Sequence, residues 1–159
     1  MKSKKTILLL LFFCHNLSTN EANYGNIFAR DESPFGVTDN RVRLHDVLIE
    51  AKRCASSERF ICIQSKVFVF AVPRNNSYLR TWSHANAKYE VLFEKSTLFR
   101  QQLIKYKIIK QIWNGMNTEY AYSSEYGVVG IKAENGNQLM LMDKCGFAVL
   151  SEAKGCKPD

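Results

Sequence analysis

The spacing of apolar positions changes twice along this chain, and each change predicts a different element. Ile7 to Phe13 is an unbroken apolar run behind Lys2, Lys4 and Lys5. Residues 23–40 show no period and are rich in Asn, Asp, Gly and Ser, with Pro34 and Gly36. They read as a loosely held arm. From Arg41 to Ala55, the residues Leu44, Val47, Leu48, Ala51 and Ala55 follow the i, i+3, i+4, i+7, i+11 rhythm of one helical face. Asp39 or Asn40 would cap that helix, and Lys52 and Arg53 would complement its dipole. Ser56–Ser57 would end it.

Beyond residue 58 the period shortens to that of strands. Arg59 to Ile63 and Lys66 to Val72 are nearly continuous apolar runs rich in Val, Ile and Phe. The second is apolar on both faces, so it predicts a central strand covered on both sides, stopped by Pro73. Lys88 to Lys95 alternates, with Tyr89, Val91 and Phe93 to one side and Glu90 and Glu94 to the other. Leu103 to Trp113 reads as a strand with Ile104, Tyr106 and Ile108 facing in. Asn114-Gly115 and Asn135-Gly136 sit between apolar runs and predict type I′ hairpin turns. The first would set Lys110 opposite Glu119, the second Ile131 opposite Met140. Phe147 to Leu150 is a last short strand. The fold class expected from these elements is α+β. One N-terminal amphipathic helix packs on a curved, mostly antiparallel sheet of about seven strands, a meander in its C-terminal half.

The N-terminal pattern changes the reading of compartment. A basic start, a short apolar run, a polar stretch and small residues near Ser18 and Ala22 match a cleavable secretory signal over residues 1–22. The run is too short to span a bilayer, so no transmembrane anchor is expected after cleavage. Cys14 follows Phe13 rather than a small residue, which argues against lipidation there. The domain plan is therefore signal 1–22, arm 23–40 and one globular domain over 41–159. The expected location is secreted or periplasmic.

Removing three lysines and one glutamate with the signal lowers the formal net charge from +7 to +5. That charge is spread along the chain, so nucleic acid is a disfavoured partner. Cys54, Cys62, Cys145 and Cys156 remain, an even number in an oxidising compartment, and predict two disulfides. The favoured pairs are the local ones, Cys54 with Cys62 and Cys145 with Cys156. No Cys-x-x-Cys and no adjacent His occurs, so no metal and no cofactor are expected.

Candidate chemistry is sparse. After signal removal two histidines remain, His45 and His84. Together they would suit ribonuclease-like acid–base cleavage only if the fold joined them. Tyr78, Arg80, Trp82 and His84 form the most suggestive stretch, an irregular segment with aromatic and cationic anchors. If they face a ligand, Trp82→Ala would abolish binding and spare stability. Lys105, Lys107 and Lys110 read as a solvated face, and Glu90 with Glu94 as the wet side of one strand. Asn75-Asn76-Ser77 is a glycosylation sequon. The functional expectation is a binding or inhibitor module directed at another secreted or envelope protein. The alternative is a small secreted hydrolase.

Overall fold

The structure, a computed structural model, describes residues 21–26, 34–55, 58–75, 79–149 and 156. Their regular elements are β1 (Ala22–Gly25), β2 (Phe35–Val37), β3 (Arg41–Leu44), β4 (Val47–Arg53), β5 (Phe60–Ser65), β6 (Val69–Pro73), β7 (Thr81–His84), β8 (Ala87–Phe99), β9 (Gln102–Trp113), β10 (Met116–Ser123), β11 (Gly127–Ala133) and β12 (Gln138–Leu141). The strands run in the order β6-β5-β4-β3-β2-β1-β12-β11-β10-β9-β8-β7. Two six-stranded meanders thus join where β1 pairs antiparallel with β12. The architecture is an all-β near-barrel, which corrects the α+β expectation and its seven strands.

The predicted helix over Arg41–Ala55 is a hairpin. Leu44 pairs with Val47, leaving His45–Asp46 as a two-residue turn, and His45 takes a φ of 50°. Two residues of the helical rhythm are left outside by the hairpin, Val47 at 60% and Leu48 at 56% exposed. Val42 and Ala51 are buried instead, with Ile49 opposite Val42. The β-branched Val42, Val47 and Ile49 suit that pleated surface, and the tertiary pairing overrides the helical spacing. The expected arm also differs, for its residues 23–25 lie in β1 and 35–37 are β2. Tyr24, Phe35 and Val37 are buried there. Residues 1–20, which hold nearly all of the expected signal, lie outside the described residues.

Turn chemistry explains the registers of the second half. Asn114 and Gly115 take φ of 50° and 80°, as a type I′ turn requires, and Lys110 pairs with Glu119 as expected. At Asn135-Gly136 the glycine alone has positive φ, 85°, and its N–H donates to the Ala133 carbonyl. The loop is therefore one residue longer than a type I′ turn. Ile131 faces Leu139, and Met140 faces Gly130.

The strand expected to be central, Lys66–Val72, begins at Val69 and stands at the end of the hydrogen-bonded order, although Val69 to Val72 are all buried. Its amides explain how both hold. Ser65 donates to the Phe68 carbonyl and Arg74 to that of Arg59, so even-numbered residues of this stretch face β5. Val69 and Ala71 turn the other way, toward the opposite wall. There Gln111 Nε2 donates to the Val69 carbonyl at 2.6 Å, and Trp82 Nε1 to the Ala71 carbonyl at 2.9 Å. The Ala71 N–H is hydrogen-bonded to the Tyr89 hydroxyl. Gln111 Nε2 also donates to Tyr89 Oη at 2.9 Å, and Tyr120 Oη donates to Gln111 Oε1 at 3.1 Å. Side chains of β7, β8 and β9 thus supply what a neighbouring strand would otherwise give.

Above this network lies an aromatic cluster. Phe70 stands 4.8 Å from Tyr120 and 5.3 Å from Phe147 between ring centroids. Tyr24 Oη donates to the Val128 carbonyl at 2.7 Å and accepts from the Phe147 N–H at 3.2 Å. The two predicted disulfides are present, Cys54–Cys62 with Cα atoms 5.1 Å apart and Cys145–Cys156 at 5.6 Å. Each closes a short loop and contributes roughly 2–3 kcal/mol by the chain-entropy argument.

Gln111→Leu would leave the Val69 carbonyl buried without the Gln111 donor and would take from the Tyr120 hydroxyl its acceptor, leaving it only the bond from Thr118. The expected loss is about 2–3 kcal/mol in denaturant unfolding, against under about 0.5 kcal/mol for a surface control such as Lys88→Gln. Burial pushes the pKa values of Tyr24, Tyr89, Tyr120 and Tyr122 above the ordinary phenol value. Stability from keeping these phenols neutral is whole below about pH 10 and declines as pH rises toward the raised folded-state values. Phenolate absorbance and tryptophan fluorescence should therefore change together in one alkaline transition. Separate, gradual ionisation of every tyrosine in a still-folded chain would contradict the burial.

Candidate functional site

A β-bulge shapes an open concavity at one end of the sheet. Val91 pairs with Ile109 and Phe93 with Ile108, so Leu92 is the extra residue in β8. The bulge turns Glu94 onto the inward face that carries Val91. Glu94 then pairs with Lys107, whose other neighbour, on β10, is Tyr122. Bulges at barrel rims re-aim side chains in this way. Glu90 pairs with Lys110 instead, so the two carboxylates expected on one face are separated.

The result is an open cavity of about 660 Å³ at the mouth of the barrel. Leu79, Val91, Phe93 and Tyr106 supply apolar and aromatic walls, and Arg80, Lys105 and Lys107 bring positive charge. A small recess continues inward along Ile109 and Val72 to Trp82. Lys107 Nζ lies 3.2 Å from Glu94 Oε1, so three cations and one carboxylate share the lining.

Tyr122 is the unusual member. It is 5% exposed and lines both the cavity and the recess. Desolvation pushes its pKa above the ordinary phenol value, and no hydrogen bond among the described residues offsets that. A buried hydroxyl without a partner is costly in a finished fold, and a ligand or an ordered water relieves it. Tyr120, two residues earlier, is buried too, but its hydroxyl is spent on Gln111.

The suggestive stretch divides. Trp82 is a core residue of β7, stacked on Tyr89 at 5.3 Å and bonded to Ala71, so it is not a surface anchor. Arg80 is exposed at the cavity. Tyr78 lies outside the described residues, as do Asn76 and Ser77 of the sequon.

His84 ends β7 against Phe60, with Nε2 3.8 Å from Cys54 Sγ. His45 sits exposed in the β3–β4 turn, at the far end of β4 from Cys54. The seven residues of β4 at about 3.3 Å each put the two histidines on the order of 25 Å apart. Cys54, Cys62 and His84 offer ligand atoms within 4.8 Å of one another, a cluster that their sequence spacing hid. Both sulfurs are in the disulfide, so neither is a thiolate ligand. The residues that sequence reasoning missed are Tyr122 and Phe93. The available signal for Phe93 was three apolar residues, Val91-Leu92-Phe93, interrupting a strict alternation.

No family model, curated protein or solved structure matches this chain.

Trp82→Ala would remove a packed ring and the donor on Ala71. The expected cost is about 3–5 kcal/mol, read as a large drop in the unfolding midpoint, with His45→Ala neutral. An unchanged midpoint for Trp82→Ala would return that residue to the surface.

Proposed function

We propose that this protein is a small exported binding module that takes its ligand into the open mouth of the barrel. The observation that carries the reading is the basic, partly aromatic cavity with the unpaired Tyr122 hydroxyl in its wall. Ligand sites are concave, mostly apolar and supplied with a few convergent polar groups, and barrel mouths are a common place for them. Two disulfides are compatible with a secreted or periplasmic location, as is the basic and apolar start of the chain. Among the described residues, no helix is long and apolar enough to cross a membrane.

A second reading keeps the expectation of a protein partner and moves the contact. Leu98 and Leu103 are paired across the tip of the β8–β9 hairpin and are 73% and 74% exposed. Such a projecting apolar pair suits a protein interface better than solvent. The two-histidine hydrolase loses its geometric basis with His45 and His84 so far apart.

Native mass spectrometry of the oxidised mature protein, incubated with extract from its own secretory compartment, separates these readings. The mouth reading expects a small-molecule adduct that Lys105→Glu abolishes and Leu98→Asp leaves in place. A protein complex lost with Leu98→Asp but retained by Lys105→Glu would overturn it in favour of the hairpin tip.

A further inference from the structure

The ligand's chemistry follows from the groups that line the cavity. Arg80, Lys105 and Lys107 outnumber Glu94 in the lining, so the mouth favours a negative group and disfavours a cation. The Tyr122 hydroxyl needs an acceptor, and a wholly apolar guest would leave it buried and unpaired. Arg74 stands at the recess beyond Val91, but its guanidinium donates to the carbonyls of Ala55, Glu58 and Phe60, and the rest of the way toward Ile109 is lined by Val72 and Trp82, which suits a hydrocarbon body rather than a polyanion. The volume, about 660 Å³, lies within the range of small-molecule sites and holds one such guest.

We infer that the mouth binds an acid-headed amphiphile, a single carboxylate on a short aliphatic or aromatic body, with Tyr122 Oη donating to the carboxylate. Lys105, Lys107 and Arg80 meet its charge, and Leu79, Val91 and Phe93 hold the body. This rests on the binding reading above and adds the ligand class. A hydrogen bond from a neutral hydroxyl to an ionised acceptor is stronger than a neutral pair, so the acid gains over an alcohol of equal length at this residue. Glu94 opposes the acid, and its removal therefore strengthens binding.

Titration calorimetry with octanoate and octanol tests the inference on the oxidised mature protein. Octanoate is expected to bind at least tenfold more tightly than octanol, with an affinity that falls as salt rises. Tyr122→Phe should weaken octanoate about five- to tenfold and leave octanol unchanged, while Glu94→Gln strengthens octanoate. The Tm of Tyr122→Phe should be equal or higher, because the variant removes an orphan hydroxyl, whereas Tyr120→Phe should lower it. Equal binding of acid and alcohol, or octanoate affinity indifferent to Tyr122→Phe, would overturn the ligand class and leave the binding reading standing. A fall in Tm for Tyr122→Phe would show the hydroxyl already satisfied and overturn the placement of the headgroup. No binding of either probe, with no small-molecule adduct from the extract, would sink both inference and reading.

Discussion

A strand that ends a sheet and is nevertheless buried must find partners for its outward amides, and β6 finds them in side chains. Trp82, Tyr89 and Gln111 reach from the far end of the strand order to Val69 and Ala71. Without them the curled sheet would bury a row of unpaired backbone groups, each costing about 1–3 kcal/mol. With them, β6 and β7 are held together though no ladder joins them. The amide of Gln111 is saturated by this role, with both donors and its acceptor engaged. Chemically, the closure is a polar network packed between aromatic rings.

The same closure positions the cavity. Up to Val91 and Ile109 the interior is filled by the rings and amides that hold β6. Past that level the bulge at Leu92 inverts the facing of β8, and charged residues replace the apolar ones inside. The mouth is thus where the closing network stops. Tyr120 belongs to the network and Tyr122, on the same face of β10, lies beyond it, which is why one hydroxyl is paired and the other is not. The disulfides take no part in this division, since each joins residues close in sequence.

Local features of the chain were legible because local chemistry decides them. Asn114-Gly115 specified its turn, and the Lys110–Glu119 pair followed from it. The cysteine pairs were also readable, since short spacing favours local closure. The Arg41–Ala55 segment was misread because Leu44, Val47 and Leu48 satisfy a helical period as well as a hairpin whose turn end leaves Val47 and Leu48 exposed. Only the neighbouring β2 and β5 decide between them. Trp82 looked like a loop anchor because nothing near it in sequence shows the carbonyl of Ala71 that it serves. Tyr122 was invisible for a related reason. Its significance lies in a missing partner, and a missing partner is a property of the assembled interior. The bulge left a trace in Val91-Leu92-Phe93, but three apolar residues in a row do not say which one is extra.

The pairing of β1 with β12 has a kinetic side. Tyr24 lies opposite Leu141, so the junction between the two meanders joins residues 117 positions apart. Each meander is built from neighbouring strands and short turns, which form early and at low entropic cost. The junction cannot form until both ends of the chain are available together. Folding is therefore expected to run as two local events followed by one slow, long-range docking step. Until that step the edges of β1 and β12 are exposed as open templates for strand addition.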